Sequence, residues 1–182
     1  MEKLDANFAD FLRSLNRHGV ECYPPFASSA RNIPNGIRTP SGSVPDEGVQ
    51  YLVVGGYAVG YHGFVRATGD LDVFVGITPA NASNLVAAFH DFGFNVPELT
   101  PVVFLEKGRI VRIGVPPLRL EVMNDISGVS FAECYVRRIE ETIDGVRINF
   151  IDREKLIDNK RSAGRPKDLA DIDALTRQAS PE

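Results

Sequence analysis

The stretch YLVVGGYAVGYHGFVRATGDLDVFV, Tyr51 to Val75, decides the fold. An apolar run from Gln50 to Val54 reads as a buried strand. Gly55 and Gly56 then turn the chain, a short helix is predicted over Tyr57 to His62, and Gly63 closes it. Leu71, Val73 and Val75 alternate with Asp70, Asp72 and Phe74, which predicts a second strand. Asp is depleted in strands, and a carboxylate beside a core is costly unless it is paired or bound to metal. Residues i and i+2 of a strand share a face, so Asp70 and Asp72 project together. Two carboxylates that close repel unless a cation or a shared proton intervenes. Such hard oxygen ligands suit Mg²⁺, which takes one or two carboxylates and then phosphate oxygens. Taken alone, Asp-x-Asp is more often an exposed strand face with two solvated acids.

The neighbours of the two aspartates add to the pattern. A strand, a Gly-Gly turn and a helix leave free backbone N–H groups that can meet a phosphate. Arg66 and Thr68 lie just before the aspartates, and an Arg there can clamp a phosphate or a site carboxylate. A third acid, Glu121, interrupts another apolar strand, Leu118-Arg119-Leu120-Glu121-Val122-Met123. If the two acid-bearing strands lie side by side, three carboxylates converge. That arrangement serves two metal ions about 3.5–4 Å apart in an in-line displacement at phosphorus.

Leu52-Val53-Val54-Gly55-Gly56 followed by Arg66-Ala67-Thr68-Gly69-Asp70-Leu71-Asp72-Val73-Phe74-Val75 resembles the signature of nucleotidyltransferases with the DNA polymerase beta type of palm. The tail Lys160-Arg161-Ser162-Ala163-Gly164-Arg165-Pro166-Lys167-Asp168-Leu169-Ala170-Asp171 is similar to the ending of small bacterial members related to abortive-infection toxins. The resemblance spans about Val49 to Leu175 and the first helix. It implies an α+β palm with a mixed sheet, helices on one side and helices at the C-terminus. It implies catalytic and metal-binding roles for Asp70, Asp72 and Glu121, with two Mg²⁺ ions or Mn²⁺ in their place. Gly55, Gly56, Arg66, Thr68 and Lys160 would contact the nucleotide. The implied reaction moves a nucleoside monophosphate from an NTP to a hydroxyl of a tRNA 3′ end, a protein or a small molecule. A nucleotide- or partner-binding module of a toxin–antitoxin pair, bound to a cognate antitoxin, is the alternative. The sequence departs from the pattern in its segment from Cys22 to Gly48 and in carrying Glu121 where many members have Asp.

Outward from the motif, Leu4, Phe8, Phe11, Leu12 and Leu15 predict an amphipathic helix over Leu4 to Arg17. The segment from Cys22 to Gly48, rich in Pro, Ser, Gly and Asn, reads as a flexible insertion loop. Pro79 opens a helix to Asp91. Strands are predicted over Val102 to Leu105, Ile110 to Ile113 and Leu118 to Met123, and a short helix near Phe131 to Cys134. Arg137 to Thr142 and Val146 to Ile151 flank Asp144-Gly145, a hairpin signal. Residues 152–178 read as a pair of helices split at Ala163-Gly164-Arg165-Pro166, and the whole chain as one nucleotidyltransferase domain.

Charge and composition exclude several classes. The net charge of −4 leaves no global field for nucleic acid, so an RNA acceptor would need a local patch. Lys160, Arg161, Arg165 and Lys167 could supply it. Two cysteines make neither a disulfide framework nor a zinc site, and His18, His62 and His90 lack metal-ligand spacing. No run approaches the roughly 18 apolar residues of a membrane span, so a cytoplasmic protein without membrane contact is expected.

Overall fold

The computed structural model describes residues 5–18, 48–115 and 118–177. The expected insertion over residues 22–48 lies outside this set apart from Gly48.

The first helix, α1 (Ala6–Arg17), starts where the Asp5 carboxylate accepts the Asn7 N–H at 2.9 Å. Its stripe of Phe8, Phe11, Leu12 and Leu15 is buried, the outcome its spacing predicts. The chain re-enters at Gly48, pressed against the end of α1, where the Val49 N–H donates to the Leu15 carbonyl at 2.9 Å. It then forms β1 (Tyr51–Val53), α2 (Gly55–Tyr61) and β2 (Asp70–Val75). The helix α3 (Pro79–Asp91) follows, capped by Thr78 with Pro79 in its first turn. Next come α4 (Pro101–Leu105), β3 (Ile110–Val115), β4 (Leu118–Met123), α5 (Phe131–Val136), β5 (Ile139–Ile143) and β6 (Val146–Phe150). Two helices end the described chain, α6 (Arg153–Ala163) and α7 (Pro166–Arg177). Gly164 stops α6 in the left-handed conformation, φ 63°, and Pro166 begins α7.

The six strands form one mixed sheet in the order β3-β4-β2-β1-β6-β5. β2 runs antiparallel to β1 and parallel to β4, and β1 runs parallel to β6. The fold is therefore the mixed α+β palm that the sequence predicts. The parallel register pairs Asp70 with Arg119 and Asp72 with Glu121. Leu71, Val73, Leu120 and Val122 are buried and fix both acid-bearing strands in the core. Asn81 ties β1 to the start of α3, accepting the Gln50 N–H at 2.7 Å and donating to the Gln50 and Gly76 carbonyls.

Val102 to Leu105 is not a strand but the helix α4. A four-residue apolar run has no period of its own, and two valines favour a strand. Pro101 decides otherwise, entering at the first helical turn after an extended Thr100. Phe104 then stacks on Phe89 of α3, with centroids 5.7 Å apart, while Val102 stays exposed. Smaller shifts follow the same logic. β3 runs on to Val115, β5 begins at Ile139 rather than Arg137, and α2 takes in Gly55 and Gly56 themselves. The Asp144-Gly145 hairpin forms, with φ of 50° and 74° at its two corner residues.

Candidate active site

Asp70, Asp72 and Phe74 lie on one face of β2 by the two-residue period of a strand. Phe74 meets Phe131 of α5 edge to face, with centroids 5.2 Å apart, so the far end of this face is closed. The aspartates occupy the near end, where both are half-buried. There the Gly-Gly turn explains itself by what a side chain would strike. A Cβ on Gly55, whose φ is +60°, would lie 1.9 Å from the Asp72 Oδ2 atom. A Cβ on Gly56 would lie 2.6 Å from the Thr68 hydroxyl oxygen. The glycines thus admit Asp72 and Thr68 against the turn, and the Gly56 backbone N–H bonds to the Asp72 carboxylate.

Glu121 stands across from Asp72 on β4, so all three expected acids share one sheet face. Their electrostatics differ. Burial pushes the Asp72 carboxyl up, and the Glu121 and Asp70 charges push it further, to about 6. The Lys167 ammonium and the Gly56 N–H offset this only in part. Asp70 and Glu121 instead have guanidinium partners. One terminal nitrogen of Arg119 lies 2.7 Å from Asp70 Oδ2 and 3.1 Å from Glu121 Oε1. Arg112, the β3 partner of Glu121, donates its Nε–H to the same oxygen at 2.9 Å. Among the described residues no three His, Cys, Asp or Glu side chains stand gathered as a ready-made metal cage. The donor set nevertheless suits a hard divalent cation. All of its atoms are carboxylate oxygens, and the one acid without a guanidinium partner, Asp72, is the one whose charge is destabilised.

Arg66 and Lys160, expected at the nucleotide, are both engaged by carboxylates of α7. Arg66 forks onto Asp171, with Nε 2.8 Å from Oδ1 and a terminal nitrogen 3.0 Å from Oδ2. Lys160 is buried between α6 and α7, its ammonium 3.1 Å from Asp168 and 2.6 Å from Asp171. A side chain only 4% exposed and held by two carboxylates is not part of a surface patch, so the patch expected of Lys160, Arg161, Arg165 and Lys167 lacks its first member. Arg165 in turn donates its Nε–H to Asp168 at 2.6 Å, and Arg161 pairs with Asp158. Burial alone would raise Asp168 and Asp171, but the hydrogen bonds from Arg165, Arg66 and Lys160 outweigh it and hold both below the ordinary carboxylate range. This network carries Arg66 and Arg165 close enough to the acids for both guanidiniums to feel the Asp72 charge.

Sequence reasoning missed Arg119 and Asp171. Arg119 was within reach, since it stands two residues before Glu121 in a strand and therefore on its face. Asp171 carried no local signal, because its partners lie 11 and 105 residues away.

Comparison with known proteins adds one match. The sequence pattern of a family described as "nucleotidyltransferase of unknown function" (DUF6036) fits residues 43–178, which hold every residue of this site. No curated protein matches the chain.

Proposed function

The chain belongs to this nucleotidyltransferase family, and we propose that it transfers a nucleoside monophosphate from an NTP to a hydroxyl acceptor at the face carrying Asp70, Asp72 and Glu121. The observation that carries the reading is the register pairing of the two acid-bearing strands, which sets three carboxylates on one face beside the Gly-Gly turn. In this reading the three acids hold Mg²⁺, with Mn²⁺ as a substitute. Held there, the metal would neutralise the triphosphate and lower the pKa of the attacking hydroxyl. The acceptor oxygen bonds to the α-phosphorus while the bond to the pyrophosphate oxygen breaks, and pyrophosphate leaves. Glu121 is assigned to the acceptor side and helps take the hydroxyl proton. Asp72, fixed against the turn by Gly56, is assigned to the metal. Gly55, Gly56 and Thr68 shape the entry for the phosphates. Arg66 and Arg165, held by Asp171 and Asp168, bring positive charge towards the triphosphate. Lys160 acts through those two carboxylates rather than on the nucleotide.

RNA and protein hydroxyls are the proposed acceptor classes, in line with the resemblance of the tail to abortive-infection toxins, and a cognate antitoxin is the corresponding partner. One observation favours a second reading, a nucleotide- or partner-binding module without transfer. Arg119 and Arg112 already engage Asp70 and Glu121.

Transfer is tested with Mg²⁺ and each α-labelled NTP in turn, offering tRNA, cellular protein and the chain itself as acceptors. The proposal expects label on one acceptor class with the wild type and none with Asp70→Asn/Asp72→Asn. Nucleotide binding with no label on any acceptor would favour the binding module.

A further inference from the structure

Resting on the reading of the three acids as a metal site, we infer that Arg119 is a resident cation that competes with the divalent metal for Asp70 and Glu121. The register places Asp70, Arg119, Asp72 and Glu121 as a square on one face of β2 and β4. A single Arg119 nitrogen spans the two carboxylates, at 2.7 and 3.1 Å. Those are the oxygens that the metal would take.

The two arginine contacts of this region differ in how firmly they are made. Arg66 engages both oxygens of Asp171 with two nitrogens, and that carboxylate is 1% exposed. Arg119 uses one nitrogen for two different acids, its side chain is 32% exposed, and its buried Nε–H has no acceptor. A guanidinium bound by one corner, with an unsatisfied donor behind it, gives up little of its hydrogen bonding when it leaves for water. In the metal-free protein Arg119 relieves the mutual repulsion of the acids and keeps β2 and β4 in register. On metal binding it yields its two oxygens and swings towards solvent. The arginine contacts that favour a non-catalytic module are thus the resting state of the metal site.

The test is Mn²⁺ binding without nucleotide, followed by electron paramagnetic resonance of the free ion, for the wild type, Arg119→Ala, Arg119→Gln and Arg112→Ala. Removing a unit charge beside a divalent site predicts Mn²⁺ binding about tenfold tighter in both Arg119 variants. Arg112 touches one acid only, from the more exposed side, and its removal predicts a gain of less than about threefold. The Gln variant keeps most of the side-chain length, so it carries the test if the Ala variant fails to fold. Wild-type binding with equal or weaker binding in the Arg119 variants overturns the role of Arg119 and leaves the metal site standing. Absence of Mn²⁺ binding in every protein, with Asp70→Asn/Asp72→Asn indistinguishable from wild type, overturns the metal reading and this inference with it.

Discussion

Two charged constellations stand within reach of one another in this molecule, and they are built on opposite plans. Between α6 and α7, two buried aspartates meet three cations. Asp168 is held by Lys160 and Arg165, and Asp171 by Lys160 and Arg66. On the sheet face, three carboxylates meet two arginines, and Asp72 is left as the acid whose carboxyl is driven up to about 6. The first cluster satisfies its charges internally and pins two helices. The second carries unmatched negative charge at the half-buried end of a strand face. A closed network of this kind is a scaffold, whereas an acidic surplus on rigid strands is a place for a cation.

The largest expected effect breaks the scaffold. Lys160→Met strips two buried carboxylates of their shared partner, which predicts a loss of about 3–5 kcal/mol in denaturant unfolding. An effect below about 1 kcal/mol would make the cluster no different from a surface ion pair. Next comes the turn that connects the two plans. Gly55→Ala puts a Cβ 1.9 Å from Asp72 Oδ2 at a φ of +60°, which predicts a loss of about 1–3 kcal/mol and of any transfer activity.

The sheet face predicts a change of the other sign. The folded Asp72 carboxyl titrates near 6, against about 3.9 in an unfolded chain. Its ionisation therefore opposes folding. The favourable state is fully present below about pH 4 and is lost as pH rises through 6. Asp72→Asn should match wild type in thermal unfolding near pH 4 and exceed it by on the order of 2 kcal/mol at pH 8. A variant less stable than wild type at pH 8 would show that the face has no surplus of charge. The smallest effect is Arg112→Ala. The Arg112 side chain is 54% exposed, and Glu121 keeps Arg119 as a second partner, which predicts less than about 1 kcal/mol in the same melts.

Local signals made most of this readable in advance. The Gly-Gly turn, the Asp-x-Asp alternation and the interrupted strand at Glu121 depend on neighbours one to three residues apart, and the structure brings all three acids to one face. The helix pair at the end was equally plain, because Gly164 and Pro166 are punctuation. What escaped depends on distance along the chain. An isolated apolar run at Val102 to Leu105 carries no period, so Pro101 before it and the packing of Phe104 on the distant Phe89 together distinguish helix from strand. Lys160 looked like a free cation because its partners Asp168 and Asp171 reach it only after the chain has turned at Gly164.

The proposed role of Asp70, Asp72 and Glu121 as a metal-dependent nucleotide site can be tested without the acceptor. The measurement is the melting temperature with and without Mg²⁺ plus each NTP, for the wild type and for Asp70→Asn/Asp72→Asn. A ligand that binds only the native state raises the melting point by mass action. A metal-dependent nucleotide site at these acids predicts a rise of several degrees in the wild type with at least one Mg²⁺–NTP pair, and none in the double variant. Equal shifts in both proteins, or none in either, would contradict it.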